Sequence, residues 1–355
     1  MPLVAHSSLP AFQRLRDEGQ VVISTEDSIH QDIRELHIGM LNMMPDLALQ
    51  ATERQFLRLI GACNRIVQIC VHPFTVAPEN RGEETKSYIR DHYEDFAELQ
   101  REGLDALIIT GANPQQSDIT QEDFWEPMLE VVNWARGNVC SILCSCLASH
   151  AMLKHFDGVE RRRQPRKRWG VYSHKVVDPT HPLVRHINSR FDAPRSHVYE
   201  VTSDEVRAAG VRVLAESEEA GMQLAVSSDG LKFVYFQGHP EYDVDSLLKE
   251  YKREVLRYVA GDRAHYPRYP DHYLPTPAIK ILDDHAKLVI EAVAAGREAP
   301  PVPEDEVLPY LDNTWTDTGK ALFNYWLGLV YRLTDLDRKK PFAPGVDPED
   351  PLGLR

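Results

Sequence analysis

Residues 138–156 read NVCSIL, then CSC, then LASHAMLKHF. The first run (Asn138–Leu143) has the apolar character of a buried strand. The last (Leu147–Phe156) has the spacing of a helix, and Cys144-Ser145-Cys146 forms the junction. A strand that breaks directly into a helix is the unit of an α/β sheet. Cys146, on that corner, projects from a tight turn with a helix N-terminus behind it. The helix dipole and the free N–H groups of the first turn favour a thiolate there and can hold an oxyanion.

On either side of this junction the chain repeats the same alternation. Leu36–Leu41 is a strand, followed by a helix over Asp46–Ile60 with Leu47, Leu49, Phe56, Leu57 and Ile60 on its apolar stripe. Ile66–Val71 is a second strand, Glu79–Thr85 a loop and Tyr88–Gln100 a helix. Ala106–Thr110 is a third strand that ends in the loop signal Gly111-Ala112-Asn113-Pro114, followed by a helix over Phe124–Ala135. Further on, Gly170–Val177 resumes a strand pattern. Met222–Val226 and Lys232–Gln237 flank the hairpin turn Ser227-Ser228-Asp229-Gly230. Asp245–Ala260 is a helix with Leu248, Tyr251, Val255 and Val259 on one stripe. Continuous apolar strands alternating with helices predict an α/β fold: a doubly wound, mostly parallel sheet with helices on both faces. Ligands of such sheets gather beyond the carboxyl ends of the strands. Gly111, Cys146 and His239 each follow a strand, which predicts that they share one rim.

The composition sets outer limits. The 355 residues, 43% hydrophobic and 26% charged, suit a globular protein of one large or two ordinary domains. We divide them into an N-terminal arm (1–34), an α/β catalytic domain (35–261) and a C-terminal extension (262–355). A net charge of −14 argues against nucleic-acid partners, although it leaves room for a local basic pocket. The basic run Glu160–Lys167 reads as a solvated surface loop. No run reaches the ~20 apolar residues of a membrane span, and no signal peptide is evident, so a cytoplasmic location with no membrane partner is expected. The apolar run Thr318–Leu333 must bury against the main domain or a second subunit. Its Trp and Tyr residues point to a homodimer.

The five cysteines do not form a disulfide framework. Cys140 and Cys144 read as buried core thiols. Cys140, Cys144, Cys146 and His150 match no usual zinc spacing, and no metal is expected. His239-Pro240-Glu241 follows the apolar run Phe233–Gln237. Together these supply a cysteine nucleophile, a histidine base and a carboxylate to orient it, the parts of an acyl-thioester enzyme. The Leu147 N–H and a donor from the loop at Gly111 or Ala112 would form the oxyanion hole. The same triad serves glutamine amidotransferases and glutaminases. Those usually carry Cys-x-Gly-x-Gln at the elbow, whereas this chain has Cys146-Leu147-Ala148-Ser149-His150.

Several blocks resemble one family. Leu41-Asn42-Met43-Met44-Pro45 before Thr52–Leu59 (TERQFLRL), Ile109-Thr110-Gly111-Ala112, Gly170-Val171-Tyr172, Ala193-Pro194-Arg195-Ser196, Gly238–Asp243 (GHPEYD), Thr314-Trp315 and Asn324–Leu327 (NYWL) are similar to homoserine O-succinyltransferases. The similarity runs to about Asp337. It implies a class I glutamine amidotransferase-like fold and transfer of an acyl group from an acyl-CoA to the hydroxyl of L-homoserine, a step of methionine biosynthesis. It also implies no cofactor beyond the succinyl-CoA co-substrate. Matched motif by motif, Cys146 falls on the acyl-thioester nucleophile, His239 on the base and Glu241 on its partner. Lys167, Ser196 and Arg253 fall on substrate-binding positions, although the helix pattern alone reads Arg253 as a solvated face residue.

The position tracking acyl preference in the family, glycine with succinyl-CoA and glutamate with acetyl-CoA, is Gln115 here. A neutral amide does not repel the free succinyl carboxylate and can donate to it, which favours succinyl. Acetyl-CoA as donor and serine as acceptor stay open. The segment from Pro275 to Asp312 resembles an insertion relative to shorter members.

Overall fold

The computed structural model describes residues 3–29, 33–63, 67–77 and 80–354. Expectations at Ile66 and Glu79 lie outside them. In chain order the elements are β1 (Leu3–Ala5), α1 (Pro10–Asp17), β2 (Val22–Ser24), α2 (Thr25–Ile29), β3 (Glu35–Leu41), α3 (Asp46–Gly61), β4 (Gln68–Phe74), α4 (Glu83–His92), α5 (Phe96–Glu102) and β5 (Ala106–Ile109). Then come α6 (Trp125–Asn138), β6 (Ser141–Ser145), α7 (Leu147–Asp157), β7 (Arg162–Val176), β8 (Arg190–Glu200), α8 (Ser203–Ala208), β9 (Arg212–Ser217), β10 (Gly221–Val226) and β11 (Phe233–Phe236). The chain closes with α9 (Ser246–Val259), α10 (Thr276–Ala294), α11 (Glu304–Val307) and α12 (Thr316–Leu333).

One 11-stranded sheet runs in the order β2-β1-β4-β3-β5-β6-β11-β10-β9-β7-β8. From β2 to β11 each neighbouring pair is parallel; from β11 to β8 each is antiparallel. The described part of residues 1–34 therefore extends the sheet at its parallel edge. Alternation along the strands gives each face its own core. Leu36, Ile38, Met40, Ile69 and Val71 pack under α1, α3 and α12. Leu107, Ile109, Ile142 and Cys144 pack under α5, α6 and α7 on the other face. A third cluster joins Leu248, Tyr251 and Val255 of α9 to Leu282 and Val289 of α10 and to Trp169 and Trp315.

Several expectations are revised. The helix expected over Tyr88–Gln100 is two helices, because Asp95 starts a new one by accepting from the N–H groups of Ala97 and Glu98. Leu47, placed on the apolar stripe of α3, is exposed, and so is Val259 at the end of α9. Asn138 ends α6 rather than starting a strand, so β6 begins at Ser141. The basic run at Glu160–Lys167 lies largely in β7 and pairs with β8. In α12, Leu322, Phe323, Trp326, Leu327 and Val330 bury against the chain's own sheet, so this helix gives no reason for a second subunit. The packing satisfies its indole as well, since Trp326 Nε1–H donates to Ser141 Oγ at 2.9 Å.

Candidate active site

The sheet order β5-β6-β11 puts the three strand-end motifs side by side on one rim. At the end of β6, Cys146 adopts φ 51° and ψ −107°, a left-handed conformation unusual for a residue with a Cβ. Several bonds hold this strained corner. The Cys146 N–H donates to Phe236 O at 2.6 Å. Ser149 Oγ–H lies 2.8 Å from Cys144 O and 3.0 Å from Phe236 O, tying α7 to both strands. The Ser149 N–H donates to Cys146 O at 3.1 Å, whereas the N–H groups of Leu147 and Ala148 before it lie too early in α7 for an intrahelical acceptor. The loop after β5 lies against the elbow, because a Cβ built on Gly111 would stand 3.7 Å from that of Cys146. Ala112, half-buried, follows directly.

Past β11 the chain threads a narrow gap. A Cβ on Gly238 would meet Gln223 Oε1 at 2.6 Å and Pro194 O at 2.7 Å, so the position requires glycine. The His239 N–H donates to Pro194 O at 2.9 Å. His239 Nδ1–H donates to Glu241 Oε1 at 2.8 Å, which orients the ring and leaves Nε2 for the neighbouring Cys146 sulfur. Burial opposes the imidazolium, but the Glu241 carboxylate and the Cys146 sulfur outweigh it and raise the His239 pKa to about 10. Cys146, His239 and Glu241 are all buried. The Tyr242 ring stacks on the imidazole with centroids 4.3 Å apart.

The β7–β8 ribbon brings the substrate-binding candidates to this rim through Glu250 of α9. That buried carboxylate accepts from Lys167 Nζ at 2.8 Å, Ser196 Oγ at 2.6 Å and Tyr242 Oη at 2.9 Å. Burial would raise its pKa, but Lys167 and the two hydroxyls hold it below the usual range. Lys167 and Ser196 thus connect through Glu250 and Tyr242 to His239. Arg253 is exposed three residues after Glu250, on the same side of α9. Gln115 is also exposed, and its amide donates to Asn113 O in its own loop at 3.3 Å.

Lys167 also borders a basic cavity of about 490 Å³, lined by Arg166, Trp169, Arg257, Arg263 and Arg268. Glu254 pairs with both Arg257 and Arg263, leaving an excess of positive charge. Cys140 and Cys144 are core thiols pushed up by burial, Cys140 to about 12. They form no ligand cluster with Cys146 and His150 among the described residues.

Sequence reasoning missed Glu250, Tyr242 and Arg195, although Tyr242 and Arg195 lie in blocks that carried the family resemblance and Glu250 stands three residues before Arg253. Arg195 is fully buried and donates from Nη2 to Met222 O at 2.6 Å and to His174 Nε2 at 3.0 Å. Burial lowers its pKa to about 9, while the nearby Cys146 works in the opposite direction. The local sequence carried little signal, because Arg195 lies in a mixed polar strand, RFDAPRSHVYE.

A strained cysteine elbow with a histidine and a carboxylate, on the carboxyl rim of a doubly wound sheet, defines a thiol enzyme of acyl or amide transfer. A family model described as homoserine O-succinyltransferase matches residues 2–336. The chain is 57% identical over 354 residues to a homoserine O-succinyltransferase of Methylococcus capsulatus, covering 100% of both chains. It is 54% identical over 354 residues to one of Methylobacter tundripaludum, again covering 100% of both. Among solved structures, a glutamine amido transferase from Methylobacillus flagellatus is 12% identical, with a TM-score of 0.45, over 84% of this chain and 95% of its own. The chain belongs to the homoserine O-succinyltransferase family.

Proposed function

We propose that this enzyme moves a succinyl group from succinyl-CoA to the hydroxyl of L-homoserine through a thioester on Cys146, in methionine biosynthesis. The observation that carries this reading is the strained Cys146 elbow next to a buried His239 whose Nδ1–H is held by Glu241. The thiolate attacks the thioester carbonyl, and the oxyanion is received by the N–H groups of Leu147 and Ala112. Collapse breaks the bond to CoA, whose sulfur takes the proton from His239. Homoserine then enters, and His239 removes its hydroxyl proton as the oxygen attacks the Cys146 thioester. The second collapse releases O-succinylhomoserine and regenerates the thiolate–imidazolium pair. Glu241 supports the imidazolium in both halves.

Lys167, Ser196 and Arg253 bind substrate in this reading, with Glu250 fixing the first two. The basic cavity beside Lys167 suits the phosphates of the acyl-CoA. Gln115 fits succinyl as donor for the reason given above. The elbow sequence and the family relationship disfavour a glutaminase. A cytoplasmic location is part of the same proposal; no described helix is long and apolar enough to cross a membrane. The homodimer stays a proposal for light scattering to decide, where a monomer at micromolar concentration removes it.

The deciding experiment incubates the protein with succinyl-CoA alone. One equivalent of CoA should be released, leaving a succinyl adduct on the Cys146 peptide. A Cys146→Ala protein that still acylates homoserine at the full rate would falsify the mechanism.

A further inference from the structure

Far from the elbow, the parallel edge of the sheet holds a cluster the reaction does not use. On β3 and β4 the residues facing α1 and α3 are apolar (Leu36, Ile38, Ile69, Val71), whereas the alternate positions carry Glu35, His37, Cys70 and His72. His6, just past β1, and Glu94, between α4 and α5, complete the group. Ligand atoms of His6, His72 and Glu94 lie within 4.8 Å of one another. His72 is buried, and Glu94 is 29% exposed, which leaves an ion a route from solvent.

One N–H per imidazole does not satisfy every hydrogen bond of this cluster. His6 Nδ1 lies 3.1 Å from Val4 O and must donate to it, so His6 Nε2 presents a lone pair to Glu94 Oε1 at 3.4 Å. The same Oε1 is 2.8 Å from His72 Nδ1. His72 Nε2 is 2.9 Å from His37 Nδ1, and His37 Nε2 is 3.4 Å from Glu35 Oε2. The four hydrogen bonds at His6, His72 and His37 each need a proton between acceptors, and three imidazoles with one N–H each supply three. One contact, at the Glu94 carboxylate, is therefore left as a lone pair against an oxygen unless a further cation enters. A single divalent ion at His6 Nε2, Glu94 Oε1 and His72 Nδ1 is such a cation. His72 Nε2–H then donates to His37 and His37 Nε2–H to Glu35, giving a liganding imidazole the outer-shell support such sites use.

We propose that His6, His72 and Glu94 bind one divalent transition-metal ion of the zinc class, which fastens the chain after β1 to β4 and to the segment before α5. Two imidazoles and one carboxylate are a familiar zinc donor set, with a fourth position open to water. The 3.4 Å separation of His6 Nε2 and Glu94 Oε1 is close to the ~3.3 Å edge of a tetrahedron with bonds of about 2.0–2.1 Å, and the 2.8 Å contact of His72 Nδ1 with the same oxygen must open to that edge when the ion enters. In the sheet, β4 is separated from β6 by β3 and β5, so the ion stabilises this edge and takes no part in the chemistry.

The test uses the full-length chain carrying Cys146→Ser, so that the catalytic thiolate cannot supply a ligand. Metal-stripped protein is titrated with zinc at neutral pH by calorimetry, and its Tm is followed with and without zinc. One tight equivalent and a Tm raised by several degrees are expected. Binding should weaken at least tenfold in His6→Gln and in Glu94→Gln, with the zinc-dependent Tm rise lost. His6 is half-buried at the end of a short strand, so His6→Gln decides if Glu94→Gln does not fold by circular dichroism. Two results would overturn the proposal: equal zinc binding in the parent and His6→Gln, or no zinc response together with a Tm that rises on acidification. The latter would mean that a proton fills the contact at Glu94.

Discussion

Replacing Glu241 by glutamine removes the charge that holds His239 as an imidazolium while keeping the side chain's shape. The wild-type pKa of about 10, against an ordinary 6.5, corresponds to about 5 kcal/mol in favour of the charged ring. Burial opposes that preference, and the charge of Glu241, 2.8 Å away, is the largest single effect that creates it. A glutamine amide can also turn its NH₂ toward Nδ1 and stabilise the wrong tautomer. We expect Glu241→Gln to slow both half-reactions by about 10²–10⁴-fold, or about 3–5 kcal/mol of transition-state stabilisation. Stopped-flow release of CoA from succinyl-CoA alone reads the first half-reaction. Hydroxylaminolysis of the trapped thioester tests whether any adduct forms. Stability should change as well. Because the folded pKa lies above the unfolded one, the contribution of His239 is full below about pH 6.5 and is lost as pH rises toward 10. Urea midpoints in the wild type should therefore fall across that window, and Glu241→Gln should flatten the fall. A variant that releases CoA within threefold of the wild-type rate and keeps the wild-type pH dependence of stability would refute the role given to Glu241.

Three further outcomes follow from the geometry. Gln115→Glu should lower kcat/KM for succinyl-CoA relative to acetyl-CoA by roughly five- to tenfold, as expected for a carboxylate repulsion of about 1 kcal/mol in a solvated loop; an unchanged donor ratio would place the acyl carboxylate elsewhere. The double variant Arg257→Ala/Arg263→Ala should raise KM for succinyl-CoA by roughly tenfold or more. It should leave KM for a phosphate-free succinyl thioester unchanged, so an equal effect on both donors would exclude the basic cavity as the phosphate site. Trp326→Ala empties a fully buried site and should cost about 3–5 kcal/mol, read as a lower urea midpoint at constant m-value; a loss under 1 kcal/mol would contradict the packing of α12.

The elbow was legible because its causes are local: an apolar strand, a helical period and a cysteine between them occupy adjacent residues. The Ser227–Gly230 turn was legible for the same reason, and β10 and β11 do pair as a hairpin. The rim was legible because strand ends in a parallel sheet converge by topology. The break between α4 and α5 was hidden because one capping aspartate interrupts an otherwise helical pattern. The position of α12 was hidden because amphipathicity says that a face is buried without saying what buries it.

By itself, the sequence determined that Cys146 follows a strand, that His239 and Glu241 follow another, and that the sheet between them is mainly parallel. Periodicity and turn chemistry act over a few residues, and these features need nothing more. Only the tertiary structure decided that Lys167 and Ser196, 29 residues apart in the chain, meet on the carboxylate of Glu250, or that His6, His72 and Glu94 converge at the far edge. Those encounters depend on how the β7–β8 ribbon folds over the rim and on which strand lies beside which. Long-range packing settles both, and no local pattern encodes either.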